Sequence, residues 1–293
     1  MRIANIATDK GPRLCVKGKN GYTDIAEALN ATERVDIKSL FTNAKLLAAA
    51  GELGTEEGTV YPERSFLAIV TEPTKILCLG LNYKAHAKQM GKKAALFWPE
   101  IFLRHQKTIV GPHEDLIKPY LSRQFQFEGE LGIVIGKGGR FIKENEAADA
   151  IAGFVAINDA TAREWQLATS QWTCGKNFDA TFPVSSEMLT ADETDPMNLS
   201  IRTTVNGNTV QDSNTSEMIL NVRRAVEFLS GICRLNPGDI IATGTPAILP
   251  GPSEDLLYLK DGDSVGVVIQ DVGEITHKVR EEAPAPGGWP WIP

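Results

Sequence analysis

The stretch FEGELGIVI at residues 127–135, with IAGFVAIND at residues 151–159, decides the fold of this chain. Each is a short, strongly apolar run that carries acidic residues near one end, which is typical of a buried strand. Further short β-rich runs follow, and Asn206-Gly207 between two of them indicates a hairpin. Strands and helices do not alternate regularly, so the sequence predicts a mainly β fold with some α, rather than a doubly wound parallel sheet.

Three carboxylates lie at the ends of these two strands. Because side chains alternate along a strand, Glu128 and Glu130 share a face, with Cα atoms roughly 7 Å apart. Asp159 ends the second run, far enough along the chain to return beside the first. A divalent cation between such carboxylates removes their repulsion, and oxygen ligands favour Mg²⁺, Mn²⁺ or Ca²⁺ over Zn²⁺. The simpler interpretation is a solvated strand face for the glutamates and a helix N-cap for Asp159.

Composition narrows the class of protein. The chain has 293 residues, is 42% hydrophobic, and carries a formal net charge of −7. An acidic surface repels phosphate backbones, so nucleic acid is not an expected partner. No run is long enough for a membrane span or a signal peptide, and the four cysteines form no CxxC pair. We therefore expect a soluble cytoplasmic protein whose anionic substrate meets a local positive site.

Composition also suggests three segments. Residues 1–72 form a small N-terminal α+β unit, residues 73–281 a metal-dependent catalytic domain, and residues 282–293 a Pro/Gly/Trp-rich tail. We expect Trp289 and Trp291 of that tail to pack across a neighbouring subunit. Apolar residues at helical spacing predict the clearest helix over residues 215–231. Thr215 would cap its start, and Gly231 would lie past its end.

Several motifs occur in one order along residues 75–280: LNYKAHAKQMG, FEGELGIVIGKGGR, INDATAREWQ, WTCGKNFDATFPVS, VNGNTVQ, NPGDIIATGTP and LKDGDSVGVVI. Together they resemble the fumarylacetoacetate hydrolase family. The resemblance implies a β-rich catalytic fold, commonly a homodimer, in which the carboxylates matching Glu128, Glu130 and Asp159 bind Mg²⁺ or Mn²⁺. Members hydrolyse acylpyruvates and other 1,3-diketo acids, decarboxylate oxaloacetate, or isomerise or dehydrate related 2-oxo acids.

Other residues fit such chemistry. Lys176 would place an ammonium near the metal-bound oxygens of the substrate, although it also fits an ordinary surface lysine. Arg163 and Gln166 lie one helical turn apart and would bind a substrate carboxylate or support a metal ligand. Thr245 follows a glycine turn that either presents donors to an anionic oxygen or is only a tight turn. Tyr83 ends a strand and would line the same pocket.

His86 lies among the lysines of KAHAKQMGKK, which form either a solvated helix face or a mobile lid. As part of a lid, His86 would be the general base for a water molecule. In hydrolytic and decarboxylating relatives a glutamate three residues later partners this histidine, but here the residue is Gln89. An amide orients an imidazole without stabilising its charged form, so Gln89 shifts the expectation toward decarboxylation or isomerisation.

Two further positions depart from the family pattern. The segment after TGTP reads AILPGPSEDL, with Leu249 and Pro250, and we expect it to reshape the substrate pocket. Arg104 replaces a lysine that is common there. The leading hypothesis is a metal-dependent C–C bond hydrolase or decarboxylase for a small anionic 1,3-dicarbonyl or 2-oxo acid. An isomerase, tautomerase or dehydratase on a related 2-oxo acid is the first alternative, and a non-catalytic metal- or ligand-binding protein is the second.

Overall fold

A computed structural model describes residues 1–91, 98–251 and 254–288. Its largest sheet has ten strands, and strands and helices are numbered here in chain order. Across this main sheet run β3 (Tyr22–Asp24), β2 (Gly11–Lys17), β1 (Arg2–Thr8), β14 (Glu187–Thr190), β11 (Ile151–Asn158), β10 (Gly129–Ile135), β17 (Ile240–Ala242), β5 (Ile76–Gly80) and β6 (Glu100–Arg104), while β4 (Phe66–Leu67) also pairs with β1.

A second, five-stranded sheet packs against the first. Its strands, in spatial order, are β16 (Asn208–Asn214), β15 (Ser200–Val205), β18 (Ser264–Ile269), β19 (Gly273–Glu281) and β8 (Leu116–Lys118). Two further short pairs lie within the described residues: β9 (Phe125–Gln126) with β12 (Thr161–Ala162), and β7 (Ile109–Val110) with β13 (Phe182–Pro183). The helices are α1 (Ile25–Ala28), α2 (Ile37–Thr42), α3 (Ala44–Leu53), α4 (Lys84–Gln89), α5 (Ala147–Ala150), α6 (Arg163–Leu167), α7 (Thr173–Lys176), α8 (Val222–Ile232) and α9 (Glu254–Leu257).

The predicted mainly β fold with some α is therefore confirmed. β10 and β11 are antiparallel neighbours, with Glu130 opposite Ile157. The predicted alternation is also found: Leu131 and Ile133 pack in the core between the two sheets, whereas Val134 packs in the core on the opposite face. The carboxylate of Glu130 is on the Val134 face, because residues two and four apart share a face.

The N-terminal strands continue the main sheet, since β1 pairs with β14 through Ile3 and Met188. The division at residues 72 and 73 stays a prediction. Trp289 and Trp291 lie outside the described residues, as do Lys92 and Lys93 of the lysine cluster, so the expectations for them stay untested. No helix in the described ranges is long and apolar enough to cross a bilayer.

The predicted helix over residues 215–231 is wrong at both ends. Residues Thr215–Glu217 form a 3₁₀ turn, and α8 begins only at Val222, where the Asn221 side chain accepts from the Arg224 N–H at 3.0 Å. Gly231 lies inside the helix. The apolar spacing misleads because Met218 packs in the same core as α8 from an extended segment. The Asn206-Gly207 hairpin is confirmed, with both residues at positive φ.

Asp239 joins the only parallel pair that the main sheet shows among its described strands, β17 and β5. Its fully buried carboxylate accepts from the Asn236 N–H at 2.6 Å and the Lys75 N–H at 3.2 Å, and it pairs with the Lys75 ammonium. These bonds hold the starts of two strands whose other ends lead toward the acidic cluster. Asp239 is therefore a structural anchor for both strands.

Replacing Asp239 by alanine is expected to lower the free energy of unfolding by about 2–4 kcal/mol, because two partly buried N–H groups lose their acceptor and the Lys75 ammonium loses its partner. Urea denaturation of the metal-free protein measures the change. The D239N variant keeps one acceptor and should lose less than D239A. An unchanged D239A midpoint would show that the turn does not depend on this carboxylate.

Candidate metal centre

The three predicted carboxylates meet in one place. Glu128, Glu130 and Asp159 each offer an oxygen, and these oxygens all lie within 4.8 Å of one another. The residues are almost completely buried, at 6%, 2% and 0% exposure. The pairing of the two strands continues past β10, because the Asp159 N–H donates to the Glu128 carbonyl at 2.8 Å. The antiparallel hairpin thus brings all three onto one face.

Two of these carboxylates have cationic partners. The Lys176 ammonium lies 2.6 Å from Glu128 Oε2 and 2.6 Å from Asp159 Oδ2. Arg163 Nη2 donates to Glu128 Oε1 at 2.7 Å, and Arg104 pairs with Asp159. Burial opposes ionisation of Glu128, but Lys176 and then Arg163 outweigh it and lower the pKa of this carboxyl.

Glu130 differs from the other two. No ion pair links it to a lysine or arginine among the described residues, and its one hydrogen bond comes from the Gly244 N–H, at 2.8 Å from Oε2. Burial, and then the charges of Asp159 and Glu128, raise the pKa of Glu130 well above its usual value. A buried carboxylate in this position needs a proton or a cation. This donor set fits a hard divalent ion such as Mg²⁺, Mn²⁺ or Ca²⁺.

The glycine turn after β17 supports the centre from one side. Gly244 has φ +95°, and a Cβ on it would lie 2.8 Å from both the Asn82 Cβ and the Leu79 carbonyl oxygen. Only glycine therefore fits this approach. The Thr245 hydroxyl donates to the Gly129 carbonyl at 2.9 Å and accepts from Gln211 at 2.8 Å. The turn thus gives one donor, the Gly244 N–H, to a carboxylate of the acidic cluster, whereas the Thr245 hydroxyl donates to a backbone carbonyl rather than to an anionic oxygen.

His86 lies on α4 and lines the same cavity as the three carboxylates. Its side chain is buried, at 7% exposure, and its Nδ1 has no hydrogen-bond partner in the described structure. Burial lowers the pKa of His86 more than Glu128 and Gln89 raise it. Gln89 itself bonds to Ile248: its Nε2 donates to the carbonyl and its Oε1 accepts from the N–H, both at 3.0 Å.

Of the remaining predicted residues, Arg163, Gln166 and Thr245 line the cavity, whereas Tyr83, expected to line the same pocket, is not one of its lining residues. The cavity has a volume of about 20 Å³, and Arg163 Nη1 donates to Gln166. Arg163 Nε donates to Gln126 at 2.8 Å, so its guanidinium orients Glu128 in this arrangement. Tyr83 is buried in the main core, and its hydroxyl has no partner among the described atoms. Substrate binding by Tyr83, Arg163, Gln166 and Thr245 stays a prediction.

One alternative from the sequence is not found. Helix α6 begins at Arg163 with Ala162 at its N-cap, so Asp159 does not cap it. The Asp159 carboxylate is instead bonded to Arg104 and Lys176, and the backbone carbonyl of Asp159 accepts from Lys176 at 3.2 Å. Asp159 is therefore free of any helix-capping role in this fold.

Sequence reasoning missed Arg104, Phe102 and Gln211 as members of the centre. Arg104 is buried on β6 while its neighbour Leu103 is 54% exposed, so this strand turns its charged side chain inward. That inverted pattern was a readable signal. Phe102 shares the face of Arg104, and its ring centroid lies 4.8 Å from the Lys176 ammonium. Gln211 lies on a distant hairpin and carries no such signal.

Comparisons with known proteins find similar sequences. The family model for the fumarylacetoacetate (FAA) hydrolase C-terminal domain matches residues 75–280. A fumarylacetoacetate hydrolase domain-containing protein 2 homolog of Dictyostelium discoideum is 40% identical over 225 residues, covering 71% of this chain and 72% of that protein. The mitochondrial oxaloacetate tautomerase FAHD2A of Bos taurus is 39% identical over 220 residues, covering 74% and 70%.

The fold as a whole also has solved counterparts. The 5-carboxymethyl-2-hydroxymuconate delta-isomerase from Mycobacterium smegmatis superposes with a TM-score of 0.74 at 29% identity. The match covers 97% of this chain and 100% of the isomerase. The similarity therefore extends beyond residues 75–280, which the family model matches, to the N-terminal strands.

Proposed function

Because this chain belongs to the fumarylacetoacetate hydrolase family, we propose that it is a divalent-metal-dependent tautomerase or isomerase of a small 2-oxo dicarboxylic acid such as oxaloacetate. The observation that carries the proposal is His86, a buried imidazole with a free Nδ1 beside the acidic cluster and no carboxylate partner among the described residues. Gln89, at the position expected to supply that partner, bonds to Ile248 instead. A histidine without a carboxylate partner is better suited to accepting and returning a proton than to activating a water molecule.

The charges of the centre favour a dianion. Three buried carboxylates face three buried cations, Lys176, Arg163 and Arg104. A bound divalent ion then leaves the centre with two excess positive charges, which match a dicarboxylate. Mg²⁺ or Mn²⁺ bound by Glu128, Glu130 and Asp159 would supply a Lewis acid for the oxygens of the substrate.

His86 and Lys176 would then have different roles in the reaction. In the keto-to-enol direction His86 Nδ1 would accept the proton that leaves C3 and pass it to the C2 oxygen, and in the reverse direction it would take the proton from that oxygen and return it to C3. Lys176 uses all three of its N–H bonds on Glu128 and Asp159, so it holds two metal ligands in place. The positive charge of the Lys176 ammonium would also stabilise negative charge that develops on the substrate nearby.

C–C bond cleavage remains the second candidate, because the three carboxylates and Lys176 serve decarboxylation or hydrolysis equally well. In that case His86 would matter more for hydrolysis than for decarboxylation. The oxaloacetate tautomerase and the delta-isomerase among its relatives favour the first candidate. We also propose that the protein acts as a homodimer on a free small molecule. If the substrates bind but are not converted, the protein is a ligand-binding protein without enzymatic activity.

We expect oxaloacetate in D₂O with Mn²⁺ to exchange its C3 protons faster than the uncatalysed reaction, and EDTA to remove the excess rate. NMR follows exchange at C3 and release of pyruvate in the same sample. The H86Q variant should exchange the C3 protons about 10²–10⁴-fold more slowly than the wild type while still binding Mn²⁺. Pyruvate formation without excess exchange would identify a decarboxylase, and cleavage of acetylpyruvate or fumarylpyruvate a hydrolase.

A further inference from the structure

The two hydrogen bonds between Gln89 and Ile248 join two segments that flank the cavity. Gln89 is the last residue of α4, and Ile248 lies in the segment after the glycine turn, 159 residues later. A primary amide carries both a donor and an acceptor, so it pairs with a backbone N–H and C=O as another strand would. A glutamate carboxylate lacks the donor and would face the Ile248 carbonyl with like charge.

The segment that contains Ile248 is anchored by contacts with the second sheet. The Pro246 carbonyl accepts from Gln211 at 2.7 Å, and the Leu249 N–H donates to the Val210 carbonyl at 2.8 Å. The Ile248 side chain packs on the core beneath the second sheet. The segment from Pro246 to Leu249 is therefore anchored to β16 independently of α4.

On the other side of the contact, α4 is anchored at its N-terminal end. Asn82, just before α4, donates to the carbonyls of Leu220 and Thr243 at 2.9 and 2.8 Å and accepts from the Leu220 N–H at 2.8 Å. His86 lies between this anchor and Gln89. The cavity beside it, about 20 Å³, holds roughly one water molecule, so a dicarboxylate enters only if its walls move.

From this arrangement we propose that Gln89 is a positioning residue: its amide clasps the end of α4 to Ile248, and formation of the clasp places His86 over the acidic cluster, while its release admits substrate. The proposal rests on the proposed function for its catalytic consequence only. The clasp itself is a property of the fold. It also gives a role to the altered segment after TGTP, which supplies the backbone that Gln89 binds.

The amide of Ile248 reports directly on the clasp, because its N–H donates to Gln89 Oε1. In the Mn²⁺-loaded protein we expect Q89M, which keeps side-chain length without donor or acceptor, to raise hydrogen exchange at Ile248 by about tenfold. Q89E should do the same at neutral pH. Leu249, whose N–H bonds to Val210, is the internal control and should keep its exchange rate.

The matched control variant is K88M, which makes the same replacement at the exposed neighbouring position on α4. Unchanged exchange at Ile248 in Q89M would overturn the clasp, whatever reaction the protein catalyses. With oxaloacetate as probe, Q89M and Q89E should lower kcat/KM for C3 exchange about tenfold, and K88M should not. Faster amide exchange with unchanged kcat/KM would retain the clasp and reject its role in positioning His86.

Discussion

The E130Q variant is expected to lose about 100-fold or more in Mn²⁺ affinity and most of its metal-dependent turnover, while its metal-free form unfolds at the same or a higher temperature. The reason is the isolation of Glu130. It is a buried carboxylate without a cationic partner in the described structure, and only the Gly244 N–H bonds to it. A glutamine keeps that acceptor and removes the unbalanced charge, but it is a far weaker ligand for a divalent ion.

The matched comparison is E128Q, which alters a carboxylate of the same centre. Glu128 receives hydrogen bonds from Lys176 and Arg163, so its loss leaves buried cations without a counter-charge. We expect E128Q to lose metal binding as well, but to unfold at a lower temperature without metal. Calorimetric Mn²⁺ titration and thermal unfolding with EDTA measure both quantities. Wild-type Mn²⁺ affinity in E130Q would reject Glu130 as a ligand.

The K176M variant should lower the free energy of unfolding of the metal-free protein by about 3–5 kcal/mol, because it leaves Glu128 and Asp159 without the ammonium between them. Turnover should fall about 10³-fold, since the variant lacks the ammonium that stabilises negative charge developing on the substrate. Mn²⁺ affinity should be retained or increased, because the variant removes a positive charge beside the metal. The increase in melting temperature on adding Mn²⁺ should therefore exceed that of the wild type.

K137M provides the control, because Lys137 is an exposed lysine outside the centre and should tolerate the replacement. Thermal unfolding with EDTA and with Mn²⁺, on all three proteins, separates the two effects. If K176M and K137M unfold alike without metal, the buried ion pairs of Lys176 contribute nothing to stability. If K176M keeps its turnover, Lys176 has no part in the reaction.

The cluster of three carboxylates was predictable because its signals are local. Glu128 and Glu130 lie two residues apart on one strand, and a single antiparallel return brings Asp159 beside them. Strand periodicity alone therefore fixed which face they share. The mainly β fold follows from the same periodicity, since each apolar run is short and bounded by turn residues.

Contacts made through the backbone were not predictable. Gln89 recognises the N–H and C=O of Ile248, which every residue except proline offers, so no side-chain pattern marks its partner. The start of α8 was misplaced for a related reason: apolar spacing continues through Met218 although the backbone there is extended. The Asn221 side chain caps α8 and so sets the start of the helix. In a sequence, a single capping residue is a weaker signal for a helix boundary than the spacing of apolar residues.

The parallel pairing of β5 with β17, in a sheet whose other described pairings are antiparallel, has a consequence for how such proteins diversify. The two strands end on the same side, so the segments that follow them, with Asn82 and Thr245, meet beside the acidic cluster. The three carboxylates themselves lie on and beside a different pair, β10 and β11. Insertions beyond Asn82 or Thr245 would therefore change the walls of the cavity while the carboxylates keep their places. A new substrate preference can arise in these two segments and leave the three carboxylates undisturbed.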